Sequence, residues 1–295
     1  NAMLHPLVPY AMRGSLWYQG ESNHGEGMLY VDKTKALIEG WRAKWGLPNL
    51  TYYYVQIAPF QYGEENPNIL PEFWEAQAAI ERTIPGTGQV LCYDVGNIND
   101  IHPTNKQVVG KRMAALALAN DYGQAGLVCR GPRFSALELE GNELRVRFTD
   151  TGGGLVSRDG KPLGWFEIIG PGTDWTVAKA VIDGDSVVLS APEVAAPTAV
   201  RFGWNKIAEP NLSNVEGFPA LQFRAGEVPK IDYLALKVPQ QSEYQLVYDL
   251  NLTGLNGQIN YDVDNSASIK GPSDRVAYFL ELKQAKLPAQ YVWTS

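Results

Sequence analysis

The hydrophobic pattern of this chain changes period near Gly131-Pro132, and no other feature constrains the fold as tightly. Before that point, apolar residues recur at helical spacing between short aromatic or β-branched runs. Ser15–Tyr18, Tyr52–Ile57 and Val90–Tyr93 read as strands. Tyr30, Thr34, Leu37, Ile38, Trp41 and Trp45 mark one helical face over 28–45, with Gly46 as its stop and Pro48 beyond. Phe73, Trp74, Gln77, Ile80 and Ile84 mark a second helix, ended by Pro85-Gly86. Thr104 to Asn120 reads as a third, opened by a Thr104–Gln107 capping box. Strands separated by helices imply an α/β layer with a mostly parallel sheet.

After Gly131 the apolar residues alternate. Leu144, Val146 and Phe148 interleave with Glu143, Arg145 and Arg147, behind a Gly141-Asn142 turn. Val187–Leu189 follows Gly184-Asp185, and Val200–Phe202 is a further short run. Past a linker-like Gly-Glu-Val-Pro at 226–229 come strand-like runs at Gln245–Leu250, Gln258–Asp262, Val276–Leu282 and Tyr291–Ser295. At roughly 150 residues per domain, two or three domains are expected. The boundaries predicted are an α/β domain over 1–125, an antiparallel β domain over 126–228 and a β-rich segment over 229–295.

Composition excludes several function classes. Lys and Arg number 25 against 32 Asp and Glu, a net charge of −7, with no Lys/Arg run. That lacks the electrostatic footprint of a nucleic-acid binder. No apolar stretch approaches the ~20 residues of a membrane-spanning helix. Cys92 and Cys129 stand apart from any Cys or His cluster, so neither a disulfide framework nor a zinc site is expected. Both read as buried free thiols. No phosphate-cradling glycine loop followed by Lys-Ser/Thr occurs, and no cofactor or metal is expected. Asp262–Asn265 lacks the glycine and distal glutamate of a calcium loop. Asp32, Glu39, Glu72, Glu75 and Glu81 read as solvated helix faces, and Asn1-Ala2-Met3 as a tag-derived start.

In an α/β sheet, ligands bind beyond the carboxyl ends of the strands. Two loops at such ends are rich in reactive groups: 17–24 and 94–103. His102 is one of three histidines and has Asp100 two residues before it. An imidazole oriented by a carboxylate is the base half of a nucleophilic triad. A loop histidine that merely hydrogen-bonds a neighbour has the same local sequence. His5 and His24 read as structural, although His24 borders the polar loop and could touch substrate. Gly20-Glu21-Ser22-Asn23 combines close backbone approach with a carboxylate, a hydroxyl and an amide, the makings of an oxyanion hole. Ser22 does not lie in a G-x-S-x-G elbow, because His24 occupies the last glycine position. Trp17 and Tyr18 read as core rather than as a stacking platform.

WYQGESN (17–23) and DIHPTNKQVVGKRMA (100–114) resemble the paired signatures of the sialate O-acetylesterase family, within the SGNH hydrolases. The resemblance continues in order through VQIAPF (55–60), FWEAQ (73–77) and DVGN (94–97). It then runs through GPRF (131–134), GGGL (152–155), DGKPL (159–163) and RFGW…NLSNVEGFPALQFR (201–224), with 229–295 outside it. It implies a flavodoxin-like α/β fold with an accessory β domain. The implied reaction is hydrolysis of O-acetyl groups on sialic acid or related sugars by a serine mechanism. His102 matches the catalytic histidine and Asp100 the aspartate of D-I-H. Many SGNH enzymes place that aspartate three residues before the histidine, where this chain has Asn99, so Glu21 is the alternative orienting carboxylate. Gln19, Gly20, Glu21 and Asn23 match the loop beside the oxyanion hole.

The family's nucleophile lies in an earlier G-Q-S-N-M motif, which these 295 residues do not contain. The expectation is a fragment whose serine is supplied upstream. A missing sheet segment would leave a strand edge open to a second copy. The family implies an O-acetylated sugar as partner and a periplasmic or secreted setting. Two other readings remain on the sequence: a non-catalytic carbohydrate-binding scaffold, and a glycosidase using Glu21 and Asp100.

Overall fold

The computed structural model of the chain describes residues 3–8, 10–231, 238, 244, 245, 247, 277–283 and 287–294. The chain divides into two units, Asn1–Pro229 and Lys230–Ser295. In the first, three parallel strands run in the order β1 (Gly14–Trp17), β2 (Thr51–Val55), β3 (Thr87–Val90). Trp17 lies opposite Tyr54, and Val55 opposite Val90. Three helices connect and follow them: α1 (Leu29–Trp45), α2 (Ile69–Thr83) and α3 (Lys106–Asn120).

The aromatic run of β2 shows why this central strand is buried on both sides, whereas the edge strand β1 is largely exposed. Successive side chains of a strand point to opposite faces. Tyr52 and Tyr54 pack with Tyr30 and Ile38 of α1 and with Phe73, Trp74 and Ile80 of α2. Tyr53 and Val55 pack on the other face with Val109, Met113 and Leu116 of α3. A parallel strand covered on both faces reads as a continuous apolar run, as this one does. Gly46 ends α1 in the left-handed conformation, φ 64°, and its N–H caps the last turn.

Two expectations change here. The third helix opens at Lys106, not Thr104, because Asn105 is its cap and accepts the Val108 N–H at 3.3 Å. Thr104 lies outside the helix, and its carbonyl accepts the Lys106 N–H. Glu81 of α2 is not solvated. Its side chain is nearly buried and pairs with Arg130 at 2.8 Å and Arg133 at 2.6 Å, fastening α2 to the start of the β region.

The β region of this unit forms two four-stranded antiparallel sheets. One joins β4 (Arg133–Glu140), β5 (Glu143–Thr149), β10 (Ser186–Ser190) and β9 (Lys179–Asp183). The other joins β13 (Phe223–Gly226), β11 (Ala199–Phe202), β7 (Phe166–Ile169) and β8 (Thr176–Val177). A short pair, β6 (Leu155–Ser157) with β12 (Leu212–Asn214), completes it. The alternating residues Leu144, Val146, Val187 and Leu189 share one core with Phe166, Ile168, Val200, Phe202 and Phe223.

In the second unit, β14 (Tyr278–Leu282) pairs antiparallel with β15 (Gln290–Thr294). The runs at 245–250 and 258–262, and the 262–265 segment, lie outside the described residues apart from Gln245 and Val247. Among the described residues, no helix is long and apolar enough to cross a membrane.

Phe166 is fully buried and stacks on Phe202 with ring centroids 4.3 Å apart. Phe166→Ala removes that volume and leaves a cavity, so we expect a loss of about 3–5 kcal/mol. Equilibrium urea unfolding measures it; a loss below about 1 kcal/mol, the scale of an ordinary surface change, would contradict this packing.

Candidate functional site

The loops leaving β1 and β3 emerge at the same edge of the parallel sheet, one on each side of β2. Strand spacing of about 4.8 Å puts their roots roughly 10 Å apart. Side chains stitch the three exits together. The Cys92 thiol donates to the Gln56 carbonyl at 3.1 Å and lies 3.5 Å from the Tyr18 hydroxyl. The Lys106 ammonium sits over the Tyr18 ring, 4.1 Å from its centroid. Tyr18 therefore belongs partly to the core, as expected, and partly to a polar join. Burial raises its phenol well above the ordinary value, so it stays a neutral donor. Cys92 is fully buried, whereas Cys129 is only half-buried, against the expectation for that thiol.

Gly20 turns the first loop with φ 151°. A Cβ there would lie 3.0 Å from Ile57 Cγ2 and 3.1 Å from Phe73 Cε1. The glycine thus lets the backbone press against the core, and the loop closes through Asn23 N–H to the Gly20 carbonyl at 2.8 Å. Gln19 Nε2 donates to Asn23 Oδ1 at 2.6 Å, and Asn23 Nδ2 donates to Glu26 at 2.9 Å. The Tyr30 hydroxyl is shared between the carbonyl and side-chain oxygens of Gln19. Gln19, Gly20 and Asn23 are thus one rigid network. The Glu21 carboxylate adds to the upward shift of the Tyr62 phenol, behind burial as the main cause. Among the described residues, no hydrogen bond or ion pair joins it to His102. Ser22 is exposed in the Glu21–Asn23 turn.

His24 has a larger role than its sequence context suggested. Its Nδ1 meets the Glu21 carbonyl and its Nε2 meets Glu65, both at 2.7 Å. Its ring stacks on Tyr62 at 4.0 Å. Lys206 holds the same 62–65 segment by donating to the Gly63 and Glu65 carbonyls. His24 thus pins a second loop over the first, with both ring nitrogens occupied. His5 sits exposed in a short turn, His5–Leu7.

The second loop brings Asp100 and His102 together through the backbone. Asp100 Oδ1 accepts the His102 N–H at 2.9 Å, while His102 Nδ1 is 3.8 Å from the same oxygen. That is beyond hydrogen-bond reach, and the side chains are 89% and 51% exposed. Such pairs often tighten only once substrate excludes water. Sequence reasoning missed the strongest pair nearby: Arg112 grips Asp94 through two bonds of 2.7 and 2.6 Å. One signal was available, since Arg112 falls on the same helical stripe as Val109, Met113 and Leu116. The Glu65–His24 pair had none, because 41 residues separate its members. Among the described residues, no group of three His, Cys, Asp or Glu is placed to hold a metal ion.

Residues 2–119 match the family model described as carbohydrate esterase, sialic acid-specific acetylesterase. Over that segment the chain is similar to the sialic acid-specific acetylesterase family. The sialate O-acetylesterase of Rattus norvegicus is 31% identical over 156 residues, 47% of this chain and 29% of the rat protein. That of Homo sapiens is also 31% identical over 156 residues, 47% of this chain and 30% of the human protein. A solved carbohydrate acetylesterase from Xanthomonas citri superposes with a TM-score of 0.70 at 36% identity. That match covers 76% of this chain and 52% of the Xanthomonas chain. The chain thus spans under a third of these curated relatives and about half of that structural neighbour. The match to the Xanthomonas acetylesterase agrees with the fold: a parallel α/β layer followed by antiparallel sheets.

Two outcomes follow from this geometry. Gly20→Ala forces a side chain into a 3.0 Å gap at a strained φ, so its melting temperature should drop by several degrees, as for a loss of about 1–3 kcal/mol. An unchanged melting temperature in a thermal scan would contradict the close approach. The second concerns pH. Burial pushes the Cys92 thiol from the ordinary 9.0 up to about 12. Burial, then the bond to Asp121, pushes the Tyr53 phenol up to about 12. Above pH 9 the unfolded chain releases these protons while the folded chain keeps them, so the unfolded state binds fewer. Stability should therefore fall as pH rises from 9 towards 12. Denaturant midpoints across that range test it, and a flat or rising profile would contradict it.

Proposed function

We propose that this chain supplies the histidine, the orienting carboxylate and the oxyanion loop of a carbohydrate O-acetylesterase. The serine comes from a G-Q-S-N-M-type motif that these 295 residues do not contain. The observation that carries this reading is the joining of the 18–24 and 91–105 loops at one carboxyl edge, through Tyr18, Cys92 and Lys106, in a family-matched segment.

The chemistry follows from the groups. The serine hydroxyl attacks the acetyl carbonyl while His102 takes its proton. Asp100 stabilises the resulting imidazolium, drawing in from its resting 3.8 Å. The tetrahedral oxyanion is met by N–H donors of the Gln19–Asn23 loop, preset by the Gln19–Asn23–Glu26 bonds. Asn23 Nδ2 has a second proton beyond the one given to Glu26. The tetrahedral intermediate collapses, His102 returns its proton to the departing sugar oxygen, and water then releases acetate by the same steps. The relatives' names point to O-acetylated sialic acid as the substrate class.

Two proteins test this: the 295-residue chain alone, and the chain joined to a segment bearing the serine motif. Each is incubated with O-acetylated sialic acid and a chromogenic acetyl ester, and acetate is measured. We expect turnover only in the second, lost by a factor on the order of 10⁴–10⁶ in His102→Ala with the fold retained. Acetate release by the chain alone that disappears in Ser22→Ala would instead make the Gly20–Asn23 loop the nucleophile's own. Near-normal turnover in His102→Ala would remove His102 from the mechanism.

A further inference from the structure

We propose that Arg112 is the positioning residue of the His102 loop, and that through it the β region sets the geometry of the site; the claim about catalysis rests on the esterase reading above. Arg112 projects from the buried stripe of α3, where an unpaired guanidinium would be costly. Its terminal nitrogens take four acceptors. Nη1 donates to the Leu91 carbonyl at 2.8 Å and to Asp94 Oδ1 at 2.7 Å. Nη2 donates to Asp94 Oδ2 at 2.6 Å and to the Gly217 carbonyl at 2.9 Å. The side chains of Arg112 and Asp94 are only 7% and 11% exposed.

The position of this fork matters more than its strength. Asp94 and Arg112 stand 18 residues apart, and the chain between them runs out through Asn97, Asp100 and His102 before returning as α3. The pair closes the base of that excursion. Further out, Gln61 N–H reaches in to the Ile98 carbonyl at 3.1 Å, while the bonds of Asp100 N–H to the Asn97 carbonyl, Asn99 N–H to Asn97 Oδ1 and His102 N–H to Asp100 Oδ1 stay within the loop. Among the described residues, the exposed His102 ring makes no hydrogen bond that could fix it, so its place is inherited from the backbone. The third partner, Gly217, belongs to a turn of the β region braced by Asn214. Asn214 accepts the Phe218 N–H at 2.9 Å and donates to the Arg130 carbonyl at 2.9 Å. A lysine keeps the charge but cannot make this fork.

The test uses Arg112→Lys, Arg112→Gln and Asp94→Asn, in the chain and in the same chain joined to the serine segment. We expect kcat to fall about 10- to 100-fold with KM nearly unchanged, the cost of a base displaced by roughly 1 Å. Arg112→Lys should not restore it, and Arg112→Gln with Asp94→Asn should be no worse than Arg112→Gln alone. Amide exchange at Gln61 and Asp100 should quicken, while Tyr53 and Val55 in β2 keep their protection. Unchanged exchange in the loop would overturn the tether. Faster exchange with unchanged kcat would overturn its part in catalysis, as would full activity in Arg112→Lys. Should Arg112→Gln not fold, Arg112→Lys decides both arms. If the unsubstituted serine-bearing protein releases no acetate, the esterase reading fails, and exchange alone judges whether Arg112 holds the loop.

Discussion

A chain of buried side-chain amides joins the parallel sheet to the β region, and the placement of the site depends on it. Gln89 Nε2 donates to Gln56 Oε1 at 2.9 Å, and Gln56 Nε2 donates to Gln222 Oε1 at 2.8 Å. All three residues are buried. Buried amides left without partners are costly, so this relay fixes one docking of the two layers rather than a family of them. The Tyr93 hydroxyl on the Ala220 carbonyl, at 2.7 Å, adds a second fixed point close by. Apolar packing alone is non-directional and would tolerate sliding; these bonds do not.

The consequence reaches the sheet's carboxyl edge. Gln56, Tyr93 and Arg112 all bond the 217–222 stretch of the β region; Gln56 and Tyr93 lie just beyond the exits of β2 and β3, and Arg112 reaches the Leu91 carbonyl there from α3. On the other side, Lys206 reaches the loop that Glu65 and Tyr62 lay against His24. The β region therefore braces both loops that carry the candidate chemistry. The accessory layer is built into the site's scaffold, which explains why compact unit one runs without a break to Pro229.

Much of this was legible in the residues. The alternation in β2 and β5 and the helical stripes of α1 and α2 depend on local period, which a sequence displays directly. The two reactive loops were legible because they carry dense polar groups just after apolar strands. What stayed hidden was pairing across sequence distance. Glu81 looked like one more solvated helix carboxylate until Arg130 and Arg133 met it. Nothing near Glu65 announces His24, and nothing near Gly217 announces Arg112. The Thr104 cap was misread for a smaller reason: two adjacent residues could both cap, and Asn105 reaches the N–H while Thr104 does not.

The central claim is that Gln19–Asn23 and Asp100–His102 face one acetyl group. Backbone amide shift mapping of the isotope-labelled chain, titrated with O-acetylated sialic acid, tests it without requiring turnover. The account predicts saturable shifts at Gly20, Asn23 and His102 together, with the same apparent affinity. Shifts confined to one loop, or centred elsewhere on the molecule, would contradict it.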